Sequence, residues 1–175
     1  IGTDVLGTGA LGNGFEGVAL LQGAANNTIG GTGNAGNLIS GNIGDGILII
    51  GTEEQPATGN FVEGNYIGTT IDGEGALPNE FRGIHIDAHA RGNMIGGNTP
   101  GSRNIISGNA LDGIVIALQG AEENVIKGNY IGTDKDGDTG LGNGGSGIFV
   151  FNAAKNIIGE SDGTSFVRNV IADNA

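Results

Sequence analysis

The chain has 175 residues, with 38 glycines, 3 prolines, no cysteine, and 19 acidic against 7 basic residues for a formal net charge of -12. That balance is opposite to what a nucleic-acid groove or an anionic membrane surface needs, and no apolar run approaches the ~18 residues of a membrane span. Glycine without a three-residue period excludes collagen, and the content of Ile, Val and Leu excludes a disordered linker.

The chain opens on Ile1-Gly-Thr3, and a Gly-rich loop runs to Asn13. There an eight-residue phrase begins: Asn, three variable residues, Gly, then two aliphatic residues separated by one. Copies start at Asn13, Asn42, Asn79, Asn109 and Asn143, with spacings of 29, 37, 30 and 34, and Asn174 stands 31 residues further on. A recurrence near thirty residues signals stacked repeats, and the length gives room for one domain over 1–175. After Asn13 the run Gly17-Val-Ala-Leu-Leu21 alternates like a strand. A turn leads to Asn27-Thr-Ile29, and a second loop leads to Asn37-Leu-Ile39. The next phrase gives Gly46-Ile-Leu-Ile-Ile50, Asn60-Phe-Val62 and Asn65-Tyr-Ile67. Later come Gly83-Ile-His-Ile86, Asn93-Met-Ile95 and Asn104-Ile-Ile106. The last copies supply Gly113-Ile-Val-Ile116, Asn124-Val-Ile126, Gly147-Ile-Phe-Val150, Asn156-Ile-Ile158 and Asn169-Val-Ile171. Asn65-Tyr-Ile-Gly-Thr69 matches Asn129-Tyr-Ile-Gly-Thr133, so a longer repeat divides the chain into 1–66, 67–130 and a truncated 131–175. No segment of helical length shows a 3.6-residue period.

Three short strands per ~30 residues, joined by Gly and Asn turns, predict an all-β fold: a right-handed single-stranded parallel β-helix, or β-solenoid, of about five coils. Five coils at ~4.8 Å span roughly 25 Å. Within a strand, residues two apart share a face. Asn27 therefore points inward with Ile29, as do Asn60, Asn93, Asn124 and Asn156 with their aliphatic partners. An inward column of Asn at a bend predicts amide-to-amide hydrogen bonding up the stack, because an unpartnered buried amide costs about 1–3 kcal/mol. The sequence starts and stops inside a repeat, so a longer repeat chain is expected to be one partner.

The phrases Asn-x-Ile-Ser-Gly-Asn, Asn-Tyr-Ile-Gly-Thr and Leu-Gly-Asn-x-x-x-Gly-Ile resemble the parallel β-helix repeats of large secreted and surface-attached bacterial proteins. This resemblance covers essentially the whole chain and implies an extracellular or cell-surface location. It implies several functions, because similar coils support polysaccharide lyases, mannuronan epimerases, phage tailspikes and adhesins.

Three groups of residues are candidate sites. If Ile84 and Ile86 face inward, His85 and Asp87 face outward, with Arg91 after the next turn. Asp87 would orient His85 as a general base on a sugar C5 proton, and Arg82 or Arg91 would stabilise the developing anion. His/Asp pairs on the equivalent strand of mannuronan epimerases are similar, although the Tyr-Gly-x-Asp-Pro-His order of those enzymes is absent. The second group, Leu48, Ile50, Val115, Phe149 and Phe151, forms an outward apolar stripe. Such stripes mark binding or self-association surfaces, or are covered by other chain. The third, Asp134, Asp136 and Asp138, resembles the start of a calcium loop, without a downstream bidentate Glu. The reading that follows is a non-enzymatic structural or adhesive module displaying a surface for a glycan or protein partner. The alternative is a polysaccharide lyase or uronate epimerase using His85.

Overall fold

Aliphatic runs interrupted every few residues by Gly and Asn cannot extend into long strands. In a computed structural model describing residues 1–33, 35–159 and 168–175, they form strands of two to four residues. The strands stack into three all-parallel five-stranded sheets. The first contains Val18–Leu21, Ile47–Ile50, Ile84–Ile86, Ile114–Ala117 and Ile148–Phe151. Thr28–Gly30, Phe61–Glu63, Met94–Gly96, Val125–Lys127 and Ile157–Ile158 make the second. The third is built from Leu38–Ile39, Tyr66–Ile67, Ile105–Ile106, Tyr130–Ile131 and Val170–Ile171. A small fourth sheet pairs Ala57–Thr58 with Ala90–Arg91. This is the expected parallel β-solenoid with three strands per coil. The expectation of five coils is corrected to about four turns. Sequence repeats count rungs, and five rungs enclose only four steps, a rise of roughly 19 Å.

In-register pairing stacks like residues into columns. Ile47, Ile84 and Ile114 form one, and Ile49, Ile86 and Ile116 a second. Val62, Ile95 and Ile126 line the second sheet; Ile39, Ile67, Ile106 and Ile131 line the third. All of these are fully buried, each burial stabilising the fold by about 1.5–3 kcal/mol.

The corners between sheets are held by asparagine. The expected ladder is present: Asn27, Asn60, Asn93 and Asn124 each pass an Nδ2–H to the Oδ1 of the next, ending on Asn156, at 2.9–3.0 Å. Two further ladders join it. One is Asn37–Asn65–Asn104–Asn129–Asn169, at 2.9–3.2 Å. The other consists of the phrase-initial residues Asn13, Asn42, Asn79, Asn109, Asn143 and Asn174, at 2.8–2.9 Å. Asn60, Asn93 and Asn104 show how a rung closes. Each donates its second Nδ2–H to a carbonyl of the preceding coil, respectively Ala24, Ala57 and Val62.

The two-coil period has its own cause. Coils turning through Ser40-Gly-Asn42 and Ser107-Gly-Asn109 are tight. Those following Ile67 and Ile131 carry long loops with antiparallel bridges Thr69↔Ala76 and Thr133↔Gly140. The long loops stack on one another through Ile71 N–H to Gly7 O and Lys135 N–H to Gly73 O. The buried serine of each tight turn links them: Ser40 Oγ donates to Thr69 O, and Ser107 Oγ to Thr133 O, at 2.8 and 2.7 Å. Among the described residues, no helix is long and apolar enough to cross a membrane.

Candidate functional site on the outer face

Strand alternation turns the residue between Ile84 and Ile86 away from the core. His85 therefore stands on the outer face of the first sheet, between Leu48 and Val115 of the adjacent coils. Its side chain is only 14% exposed, against 7% for Asp45 and 16% for Asp87. The nearer carboxylate is Asp45, one coil away: Oδ2 lies 3.1 Å from His85 Nδ1. Asp87 Oδ2 is 3.6 Å from Nε2. The expected orienting role of Asp87 thus fits Asp45 better on distance, and Asp87 Oδ1 accepts the amide of Ala88.

Asp45 is fixed by its place in the repeated phrase. Oδ1 accepts the backbone N–H of Arg82 at 2.9 Å, and the Arg82 guanidinium lies 3.6 Å from the same atom. Asp112, at the same phrase position, accepts the amide of Ser146 at 2.8 Å. The residue before the phrase glycine therefore anchors the corner of the next coil. Arg82 Nε is buried without a hydrogen-bond partner. Burial pushes the Asp45 carboxyl up, but the His85 hydrogen bond, the Arg82 amide and the proximity of both side chains outweigh it and hold the carboxyl below its ordinary value. An ionised Asp45 only accepts, so the 3.1 Å contact places a proton on His85 Nδ1.

A carboxyl lowered on folding stabilises the protein above its unfolded pKa and loses that contribution as pH falls through the folded value. Asp45→Asn is expected to lower the melting temperature at pH 7 and to flatten its decline below about pH 4 relative to the parent. Parallel melting curves of the two proteins through the acid range would remove Asp45 as a contributor.

Arg91 does not join this group. The chain turns at His89, whose φ is +55°, and Arg91 lies exposed beyond that corner. There it lines a separate hollow with His89, Glu53 and Glu122. Of the two cations considered for His85, the fold brings Arg82 to the cluster.

The apolar stripe is continuous in register: Leu48 and Val115 flank His85, Val115 meets Phe149, and Ala117 meets Phe151. Its exposure is uneven. Val115 is 4% exposed, Leu48 and Ile50 are partly buried, and Phe149 and Phe151 are 45% and 57% exposed. The two phenyl rings stack with centroids 6.4 Å apart. A second apolar ridge, absent from the sequence reading, follows the neighbouring corner through Phe15, Ile43, Phe81 and Leu111. Its signal is the variable stretch of the phrase, where each of the first four copies supplies one large apolar residue.

Asp134 is engaged by its own loop. Oδ1 accepts the amides of Asp136, Gly137 and Asp138 at 3.1, 2.9 and 3.3 Å. Burial raises this carboxyl, and the loop amides outweigh it, so its pKa lies below the ordinary value. Asp136 instead pairs with Lys135, which also reaches Glu74 at 3.3 Å. Among the described residues, no group of three or more acidic or histidine side chains is placed to hold a metal ion.

Fold and interior together define a parallel β-solenoid whose corners are closed by three asparagine ladders. Comparison with family models, characterised proteins and solved structures finds no match to this chain.

Proposed function

We propose that the chain is a non-enzymatic structural or adhesive β-solenoid module, extracellular or at a cell surface, whose outer faces display a binding surface for a glycan or protein partner. The observation that carries this reading is the engagement of the recurring Asn side chains in the interior ladders. The repeated polar residues support the scaffold, and variation is confined to outward positions such as Phe149, Phe151 and the corner residues. A rigid scaffold with variable outer positions suits display. The test is incubation of the purified chain with neutral and uronate polysaccharides, following new reducing ends, unsaturated products and C5 configuration. Multiple turnovers on any of them would overturn the non-enzymatic reading.

One observation favours a second reading, a lyase or uronate epimerase: the 3.1 Å contact of His85 with Asp45. This pairing suits a histidine oriented for proton transfer. If uronate turnover is found, His85→Ala should reduce it at least 100-fold, given the ~10²–10⁴-fold contribution of a positioned acid or base. Unchanged turnover in that variant removes His85 from the chemistry.

A further inference from the structure

The corner between the first and second sheets carries an open cleft of about 550 Å³, inside the ~300–1,000 Å³ range of ligand sites. Glu53, His89, Arg91, Gln119, Glu122 and Asn152 line it. They come from four successive coils, so the cleft runs along the solenoid axis for roughly 14 Å, three steps of ~4.8 Å. In the interior the fold pairs its asparagine side chains closely. Here only Glu122 is paired, with Lys155 at 3.2 Å. Among the described residues the side chains of Glu53, His89, Arg91, Gln119 and Asn152 make no hydrogen bond or ion pair within the chain. Arg91 is therefore left without a carboxylate in a protein with 19 acidic and 7 basic residues. The backbone is also strained around the cleft. His89, Leu118 and Asn152, in consecutive coils, have φ of +55°, +67° and +51°, a left-handed conformation that costs a non-glycine residue about 1–2 kcal/mol. Non-glycine residues in such conformations cluster at binding sites.

The lining defines the ligand class. It offers a guanidinium, an imidazole, two carboxamides and two carboxylates, the donor and acceptor set that pairs with hydroxyl groups. Both signs of charge are present and the chain is strongly acidic, which disfavours a polyanion. We propose that this corner cleft binds an uncharged oligosaccharide lengthwise, with Arg91, Gln119 and Asn152 hydrogen-bonding hydroxyls of successive sugar units. The inference rests on the reading of the chain as a display module and names a ligand class and a place for it.

The experiment is calorimetric titration of the full chain with cellohexaose, laminarihexaose, maltohexaose, xylohexaose and mannohexaose, with hexagalacturonate as the charged comparator. At least one neutral sugar should bind, with a Kd of roughly 10 μM to 1 mM. The double variant Arg91→Ala/Gln119→Ala should weaken it at least tenfold with an unchanged melting temperature, while Glu80→Gln, at an exposed position outside the cleft, should bind like the parent. No binding by any neutral sugar, tighter binding of the uronate, or undiminished binding by the double variant overturns the proposal. Release of new reducing ends during titration would instead overturn the non-enzymatic reading, leaving the cleft assignment to the double variant.

Discussion

Asn104→Ala should destabilise the protein by about 3–5 kcal/mol, because it removes one amide that serves three coils. Asn104 Nδ2 donates to Val62 O at 2.8 Å on one side and to Asn129 Oδ1 at 2.9 Å on the other. Its Oδ1 accepts both the backbone amide and the side-chain amide of Asn65, at 2.9 and 3.1 Å. Alanine leaves those groups buried without partners, each at a cost of about 1–3 kcal/mol, partly offset where water enters the space. For a chain of this size the thermal midpoint should fall by roughly 10 °C or more. Asn37 ends the same ladder, is only partly buried and makes the same donation in one direction. Asn37→Ala should cost about 1 kcal/mol. Chemical denaturation of both variants provides the comparison. Equal losses at the two positions would mean that the ladder does not act through its buried interior.

The ladders also show what the sequence can and cannot reveal. Parity along an extended strand places Asn27 beside Ile29, and the corresponding ladder is legible for that reason. The same rule covers Asn37 with Ile39 and Asn65 with Ile67, so the ladder that starts at Asn37 is legible by the same argument. Parity does not reach Asn42 and Ile47, which are separated by a corner at Gly44 and Gly46, and there the repeated Asn looks like a turn residue. The structure shows it is both: Asn42 turns the chain and passes its amide to Asn79 at 2.8 Å.

At the outer face, the outward direction of His85 follows from the alternation, but its partner does not. Asp45 lies 40 residues earlier, and the contact depends on stacking one coil of uneven length on another. The clue is positional: Asp45 and Arg82 occupy the same place in successive phrases, with His85 three residues further on. The turn expected before Arg91 falls at His89, and it carries Arg91 round the corner into a separate hollow, a direction that the alternation through Asp87 does not specify. The burial of Val115 is likewise a property of neighbours, since its own position in the repeat is the same as that of the exposed Phe149.

Gly96→Ala should be as damaging as loss of a ladder amide, at about 4 kcal/mol or more, though no side chain is lost. Gly96 has φ of +85°, and a Cβ there would stand 2.0 Å from Lys127 O and 2.6 Å from Asn129 Oδ1 of the next coil. The left-handed conformation alone costs alanine about 1–2 kcal/mol. Relief of the clash then requires movement of a carbonyl that is itself held, since Lys127 O accepts from Gly97 N at 3.0 Å and from Asn129 Nδ2 at 3.1 Å. Displacing it disturbs the Asn129 rung, whose Nδ2 is shared among Lys127 O, Ile95 O at 2.9 Å and Asn169 Oδ1 at 3.2 Å. Gly30 occupies the equivalent position two coils earlier, with a Cβ approach of 2.1 Å to Glu63 O. The glycine is thus demanded by its left-handed φ, which would aim a Cβ at the carbonyl of the next coil; Glu63 and Lys127, which hold the same register in the alternate coils, do not adopt that conformation. Gly14 provides the control: its Cβ would meet nothing within 4 Å, so Gly14→Ala should change stability by no more than about 0.5 kcal/mol, or raise it slightly through the unfolded chain. The urea midpoints of the two variants at matched slope decide the matter. A Gly96→Ala protein as stable as Gly14→Ala would mean that adjacent coils can separate at this corner without disturbing the Asn129 rung, and the close stacking inferred for the glycines would not be what holds them in place.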